Sequence, residues 1–372
     1  MNFEKLVAPG IASLTPYEPG KPIKDIEKEF GVQGAIKLAS NENPLGASNA
    51  VIETIKKKAH EVSVYPESDG AELKKELSKI HNVKDNQITL GNGSNDVIEL
   101  LTRLFLTTHS EAVYSEFAFA MYELTTHAAG ATGKLAFANP EDHQMPLGHN
   151  LDSFVEQINN NTKLVFIANP NNPTGTFLSP QQIKGFLNKI SGEVIVLVDE
   201  AYAEYVSNDS YKSMISEIIE YPNLVVTRTF SKIYGLAGLR IGYSISHASI
   251  SELLNRVRQP FNINNIAHAA ALSALKDDRY ISESLKVNSE GMKQMEQGCR
   301  QLSLNFIPSA ANFLSINFGY DTRPIYEKLL AEGVIVRPLH SYNLPNYLRV
   351  TIGTEDQNNL FLQTLAKILK ND

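Results

Sequence analysis

The chain has 372 residues, 42% of them hydrophobic and 20% charged, with a formal net charge of −7. That length predicts two domains in one chain, and the composition an ordinary globular core. The acidic balance, without a basic stripe, argues against nucleic acid as a partner. No apolar run is long enough to span a bilayer. The first fourteen residues carry Glu4 and Lys5 and do not read as a secretory signal. One cysteine, Cys299, forbids an internal disulfide and suits the cytoplasm. The nine histidines show no HExxH or Cys/His spacing, so no metal site is expected.

In chain order, residues 1–45 read as loop-rich, with Pro9, Pro16, Pro19, Pro22 and Pro44. A short strand at 88–90 runs into a Gly-rich turn, after which Val97, Leu100, Leu101 and Leu104 recur at helical spacing. Apolar runs at 164–167, 194–198 and 224–226 read as further strands. Continuous apolar runs separated by helices predict parallel strands covered on both faces. A long polar helical stretch follows residue 275, and strand-like runs come at 312–317, 334–336 and 348–352. The expectation is an α/β protein: a large domain over 46–275 with a mostly parallel sheet, and a smaller α+β domain from 1–45 and 276–372.

The chemistry-bearing residues follow apolar runs, where ligands sit in open parallel sheets. Gly91-Asn92-Gly93-Ser94-Asn95-Asp96 opens an amphipathic helix whose first N–H groups and dipole favour an anion; a plain helix cap is the competing reading. Asp199 ends the strand at 194–198, where a carboxylate needs a cation or hydrogen-bond donors; a structural ion pair would also satisfy it. Lys232, in Thr229-Phe230-Ser231-Lys232, lies just past a strand, and Arg240 follows. A lysine amine of lowered pKa condenses with carbonyls, and a guanidinium fork suits phosphate, whereas a lone lysine is more often a solvated charge. Asn169-Pro170-Asn171-Asn172-Pro173-Thr174-Gly175 is a rigid loop that holds Asn172 in one orientation, or a plain surface turn.

Taken in this order, these segments resemble the fold-type I aminotransferases, and within them the histidinol-phosphate aminotransferase family. The resemblance covers nearly the whole chain, from Pro19-Gly20-Lys21-Pro22 and Leu38-Ala39-Ser40-Asn41-Glu42-Asn43-Pro44 to Leu348-Arg349-Val350-Thr351-Ile352-Gly353-Thr354. It implies pyridoxal 5′-phosphate as cofactor. It implies Lys232 as the Schiff-base lysine and proton carrier, and Asp199 as partner of the pyridine nitrogen. Tyr202 and Asn172 would bond the cofactor's phenolic oxygen. The backbone at Gly93 and Ser94, with Asn95, would hold its phosphate, completed by Thr229, Ser231 and Arg240. Tyr65 matches a tyrosine that reaches the phosphate from the other subunit, so a homodimer is implied. Arg349 matches the arginine for the carboxylate of glutamate or 2-oxoglutarate, and Arg337 one near the substrate phosphate. Tyr17 and Asn43 match substrate-side positions of the small domain.

One segment departs from the family's Pro-Thr-Tyr-Gly-Met-Tyr pattern. It reads Ser115-Glu116-Phe117-Ala118-Phe119-Ala120-Met121-Tyr122, and Phe119 is the candidate to stack on the cofactor ring. The implied reaction takes L-histidinol phosphate and 2-oxoglutarate to imidazole acetol phosphate and glutamate. The alternative is an aromatic amino-acid aminotransferase or a dual-specificity enzyme, and a threonine-phosphate decarboxylase is a more distant relative. A nicotinamide dehydrogenase reading of Gly91–Asp96 lacks the third glycine of its fingerprint. A cofactor-sensing transcription regulator would carry a DNA-binding element, for which no basic stripe appears.

Overall fold

The computed structural model describes residues 20–370 throughout and, before them, residues 3, 6, 7 and 9–14. Its centre is a seven-stranded sheet in the order Ile88–Gly91, Gly242–Ser246, Leu224–Thr229, Ile195–Asp199, Thr162–Ala168, Glu111–Ser115, Thr132–Ala136. All neighbours pair in parallel except Gly242–Ser246, which runs antiparallel to both strands beside it. The sheet is mostly parallel, as the apolar runs predict. The reading by runs passes over Gly242–Ser246, Glu111–Ser115 and Thr132–Ala136, because polar or small residues interrupt them.

Alternation along each strand divides the core between two faces. Val165, Ile167, Val196 and Val198 enter one cluster, with Phe154, Ile183 and Phe186 from covering helices. Leu164, Phe166, Ile195 and Leu197 enter the other, with Val97, Ile98, Leu100 and Leu101 of the helix Ser94–Phe105. A strand buried on both faces must be apolar throughout, which is why 194–198 carries no polar residue.

A four-stranded antiparallel sheet lies beside this unit, in the order Arg337–Pro338, Tyr347–Thr351, Phe313–Asn317, Asn305–Ile307. The helices Asp278–Gln301, Arg323–Ala331 and Glu355–Lys370 contribute to its core, which holds Met295, Leu314, Ile316, Leu329, Leu348, Val350 and Phe361. The strand Ile36–Lys37 pairs in parallel with Val334–Ile335 and so fastens the segment before the large sheet to this second core. No helix among the described residues is long and apolar enough to cross a membrane.

At the end of Ile195–Asp199, the next residue, Glu200, is wholly buried. Arg228 meets it at 2.8 Å and also binds Glu204 at 2.8 Å. Glu200 further accepts from Ser213 Oγ and Met214 N. Removing the cation would strand a buried carboxylate, at a cost of about 3–5 kcal/mol. Arg228→Met is expected to lower the unfolding free energy by about that amount in chemical denaturation; a loss below about 1 kcal/mol, the range of surface pairs, would mean the pair does not hold this strand end.

Candidate active site

The parallel strands deliver their carboxyl ends to one edge of the sheet, and the site is assembled there. Ala168, Asp199 and Thr227 stand side by side in register on three adjacent strands. The cleft beyond them has a volume of about 250 Å³ and is lined by Ser94, Asn95, Phe119, Asn172, Asp199, Tyr202, Thr229, Ser231, Lys232, Arg240 and Arg349. These eleven residues come from five separate stretches of sequence and one departing segment, and the fold brings them to one cavity.

One end of the cleft is cationic and rich in donors. Gly93 has φ 86° and precedes the first turn of Ser94–Phe105. A Cβ built there would stand 2.6 Å from the Arg240 guanidinium, so only glycine leaves the arginine its place. Arg240 Nη1 donates to Ser231 Oγ at 3.4 Å and to Ala237 O at 3.0 Å. Thr229 Oγ1 accepts from Ser231 N at 3.1 Å, which fixes the turn leading to Lys232. A helix N-terminus, hydroxyls and a guanidinium in one corner make an anion seat.

The other end is a buried anion. Asp199 accepts from Tyr122 Oη at 3.0 Å on one oxygen and from Thr227 Oγ1 at 3.0 Å on the other. Burial raises its pKa, while these two hydroxyls and the Ala201 N–H pull the other way. Phe119 packs edge-on against Tyr122, 5.8 Å between ring centres, and Tyr122 stacks on Phe166 at 4.7 Å.

Lys232 lies between the two ends. Its Nζ donates to Ser40 O at 3.1 Å and sits 5.6 Å from the Tyr202 ring centre. Burial, with Arg349 as the next cause, lowers its pKa to about 7, so a large fraction of the amine is neutral and nucleophilic near neutrality. Arg349 donates to Asn172 Oδ1 and, at 2.8 Å, to Ala39 O, and lies 5.3 Å over the Phe313 ring. Its buried Nε has no partner among the described residues. The donor set fits a molecule bearing a phosphate, a reactive carbonyl and a basic ring nitrogen, the three groups that pyridoxal phosphate offers.

Three expected side chains do not line this cleft. Asn43 is buried, and its Nδ2 donates to Ile233 O at 2.8 Å and Ser284 Oγ at 2.9 Å. It braces the residue after Lys232 and does not face the cavity. Arg337 is buried opposite Arg349 across two paired strands, on the same face of the four-stranded sheet. Tyr65 is 80% exposed and stacks on Phe261 at 4.8 Å. Tyr17 lies outside the described residues. Residues not singled out from the sequence also take part: Tyr122 and Thr227 on Asp199, and Ser40, Asn41 and Glu42 on the wall. Thr227 was legible in principle, because it stands two residues before Thr229 and strand alternation puts both on one side.

Residues 33–365 match the family model described as "Aminotransferase class I and II". The chain is 47% identical over 369 residues to a protein of Methylococcus capsulatus named "Histidinol-phosphate aminotransferase 2", covering 99% of this chain and 100% of that one. A Pseudomonas aeruginosa protein of the same name is 45% identical over 373 residues, with both chains fully covered. Among solved structures, the histidinol-phosphate aminotransferase of Sinorhizobium meliloti, in complex with pyridoxal-5′-phosphate, superposes with a TM-score of 0.87 at 24% identity, over 98% of this chain and 97% of that one. That likeness shows the fold, and the full-length identities carry the finer kinship. This chain belongs to the histidinol-phosphate aminotransferase family, within the class I and II aminotransferases.

Proposed function

We propose that the protein transfers the amino group of L-histidinol phosphate to 2-oxoglutarate with pyridoxal phosphate as cofactor, as a step of histidine biosynthesis. The observation that carries this is one cleft holding an anion seat, a half-buried amine of lowered pKa and a buried carboxylate, in a chain 43–47% identical along its length to proteins named histidinol-phosphate aminotransferase. When bound, the cofactor draws electrons from the substrate's amino carbon and makes its proton removable.

The roles assigned to the residues follow from their chemistry. Ser94, Asn95, Thr229, Ser231 and Arg240, with the backbone at Gly93, would hold the phosphate. Asp199 would keep a proton on the ring nitrogen, since a buried carboxylate is best satisfied by a cation. Lys232 Nζ would bind the cofactor and then carry the proton of the amino carbon. Tyr202 and Asn172 would bond the phenolic oxygen, and Phe119 would cover the ring. Arg349, with an unspent donor, would take the carboxylate of glutamate or 2-oxoglutarate. Arg337 would serve the substrate phosphate from beside it, with Tyr17 on the substrate side and Asn43 bracing Ile233, the residue after the lysine. Histidinol phosphate has no α-carboxylate and presents a phosphate, so a group of arginines can serve both partners in turn.

The same reading includes a homodimer acting in the cytoplasm. Supporting the dimer, Val62, Val64, Tyr65 and Phe261 leave a patch of apolar side chains exposed around the tyrosine expected to reach a second subunit. The single cysteine, buried and free, suits a reducing compartment. The division into 46–275 and 1–45 with 276–372 is supported by the core clusters. Those of the large sheet draw on Val51 to Ala274, and that of the smaller sheet on Leu38 and then Met292 to Ile368.

Lys232→Ala is expected to abolish both the visible absorbance of the cofactor-loaded protein and amino transfer; survival of either would remove the lysine from this role. Arg349→Ala should raise KM for 2-oxoglutarate on the order of a hundredfold, the cost of losing a buried charge partner. Unchanged turnover of the keto acid would put the carboxylate seat elsewhere. Because the folded-state amine titrates at about 7, the rate at which the apo-protein captures pyridoxal phosphate should climb below that pH and level off above it. A climb continuing toward the ordinary lysine value near 10.4 would show an undepressed amine.

A further inference from the structure

Three consecutive residues of the segment before the large sheet touch three residues of the site. Ala39 O accepts from Arg349 Nη2 at 2.8 Å, Ser40 O from Lys232 Nζ at 3.1 Å, and Asn41 Nδ2 donates to Tyr202 Oη at 2.9 Å. Asn41 is 1% exposed and has φ 55°, a left-handed conformation that asparagine tolerates better than most residues. Its carbonyl accepts from Asn312 Nδ2 at 3.1 Å.

The orientation of the Asn41 amide follows from its neighbours. The Asn41 backbone N–H donates to Thr351 Oγ1 at 2.9 Å. Having accepted there, the Thr351 hydroxyl turns its own proton to another acceptor, and Asn41 Oδ1 lies 3.2 Å away. Oδ1 is therefore the accepting side, and the NH₂ group is the side turned to Tyr202. A phenol has one proton. The Tyr202 oxygen accepts from Asn41, and among the described residues it makes no second hydrogen bond. Its proton is free to point into the cleft that Tyr202 lines.

We propose that Asn41 is a positioning residue that sets the polarity of the Tyr202 hydroxyl, so that its proton is presented to the phenolic oxygen of the cofactor. The inference rests on the pyridoxal phosphate reading above. A hydrogen bond donated to that oxygen reduces its hold on the proton at Lys232 Nζ. Loss of the bond therefore raises the pH at which the visible band titrates.

Asn41→Asp keeps the size of the side chain and its tolerance of the left-handed backbone, but replaces the donor with an acceptor. The Tyr202 proton then turns to the new carboxylate. In the cofactor-loaded protein, the titration midpoint of the visible band is expected to rise by about one pH unit. The half-reaction with L-histidinol phosphate is expected to slow about tenfold. Both effects should shrink markedly when the same change is made on Tyr202→Phe, which has no hydroxyl to orient and leaves only the direct pull of the new carboxylate. A purely structural role for Asn41 would give equal changes in the two backgrounds, and that result, or an unmoved midpoint, overturns the proposal. Asn41→Gly, which keeps the backbone conformation and removes the donor, should move the midpoint in the same direction and serves if the Asp variant does not fold. Wild-type protein that gains no visible band with pyridoxal phosphate would overturn the cofactor reading itself. A normal band with no Tyr202-dependent shift would overturn the role of Asn41 alone.

Discussion

A carboxylate ends a strand that has no other polar residue, and the site is arranged around the cost of that placement. Asp199 is buried, and burial favours its neutral form. Two hydroxyls and a backbone N–H lower that cost without supplying a positive charge. A carboxylate held in this way favours a cationic partner from the cleft. The cations already present, Lys232, Arg240 and Arg349, do not hydrogen-bond to it; they meet carbonyls, a serine and an asparagine. Separation of the charges along the cleft gives a ligand with an anionic tail and a basic ring one orientation in which both ends are satisfied.

The depressed amine comes from the same arrangement. Lys232 is half-buried with a second cation as its neighbour, and both desolvation and that charge disfavour the ammonium form. The wall that keeps it there is assembled from distant parts of the chain: Tyr202 from the large sheet, Phe313 and Arg349 from the smaller one, and Ser40 from the segment preceding both. The cleft is therefore a seam between two cores, with Lys232 supplied by the large one and Arg349 by the smaller.

Much of this was legible in the sequence because strand ends announce themselves. Asp199, Thr229 and the turn at Gly93 each follow an apolar run, the place where open parallel sheets hold their ligands. Phe119 was found by comparing its segment with a family pattern. Less legible were the residues whose role depends on a partner distant in sequence. Tyr122 reads as one more aromatic on a helix until the fold sets its hydroxyl against Asp199. Asn43 was expected at the substrate, yet its amide is used up on Ile233 and Ser284. The antiparallel strand Gly242–Ser246 is not legible, because Gly-Tyr-Ser-Ile-Ser has little of the apolar continuity that marks its neighbours.

The pairing of Ile36–Lys37 with Val334–Ile335 bears on how the protein is made. The large sheet is complete once Gly242–Ser246 has been synthesised, and domains generally fold as units, the earlier ones during synthesis. The short strand at 36–37 must then wait, unpaired, until Val334–Ile335 emerges. Ala39, Ser40 and Asn41 wait with it, since Arg349 and Thr351 arrive later still. Along the ribosome's timetable, Asp199, Lys232 and Arg240 precede Arg349, and a chain halted before Tyr347–Thr351 would have its anion seat, lysine and aspartate but not the buried guanidinium beside them.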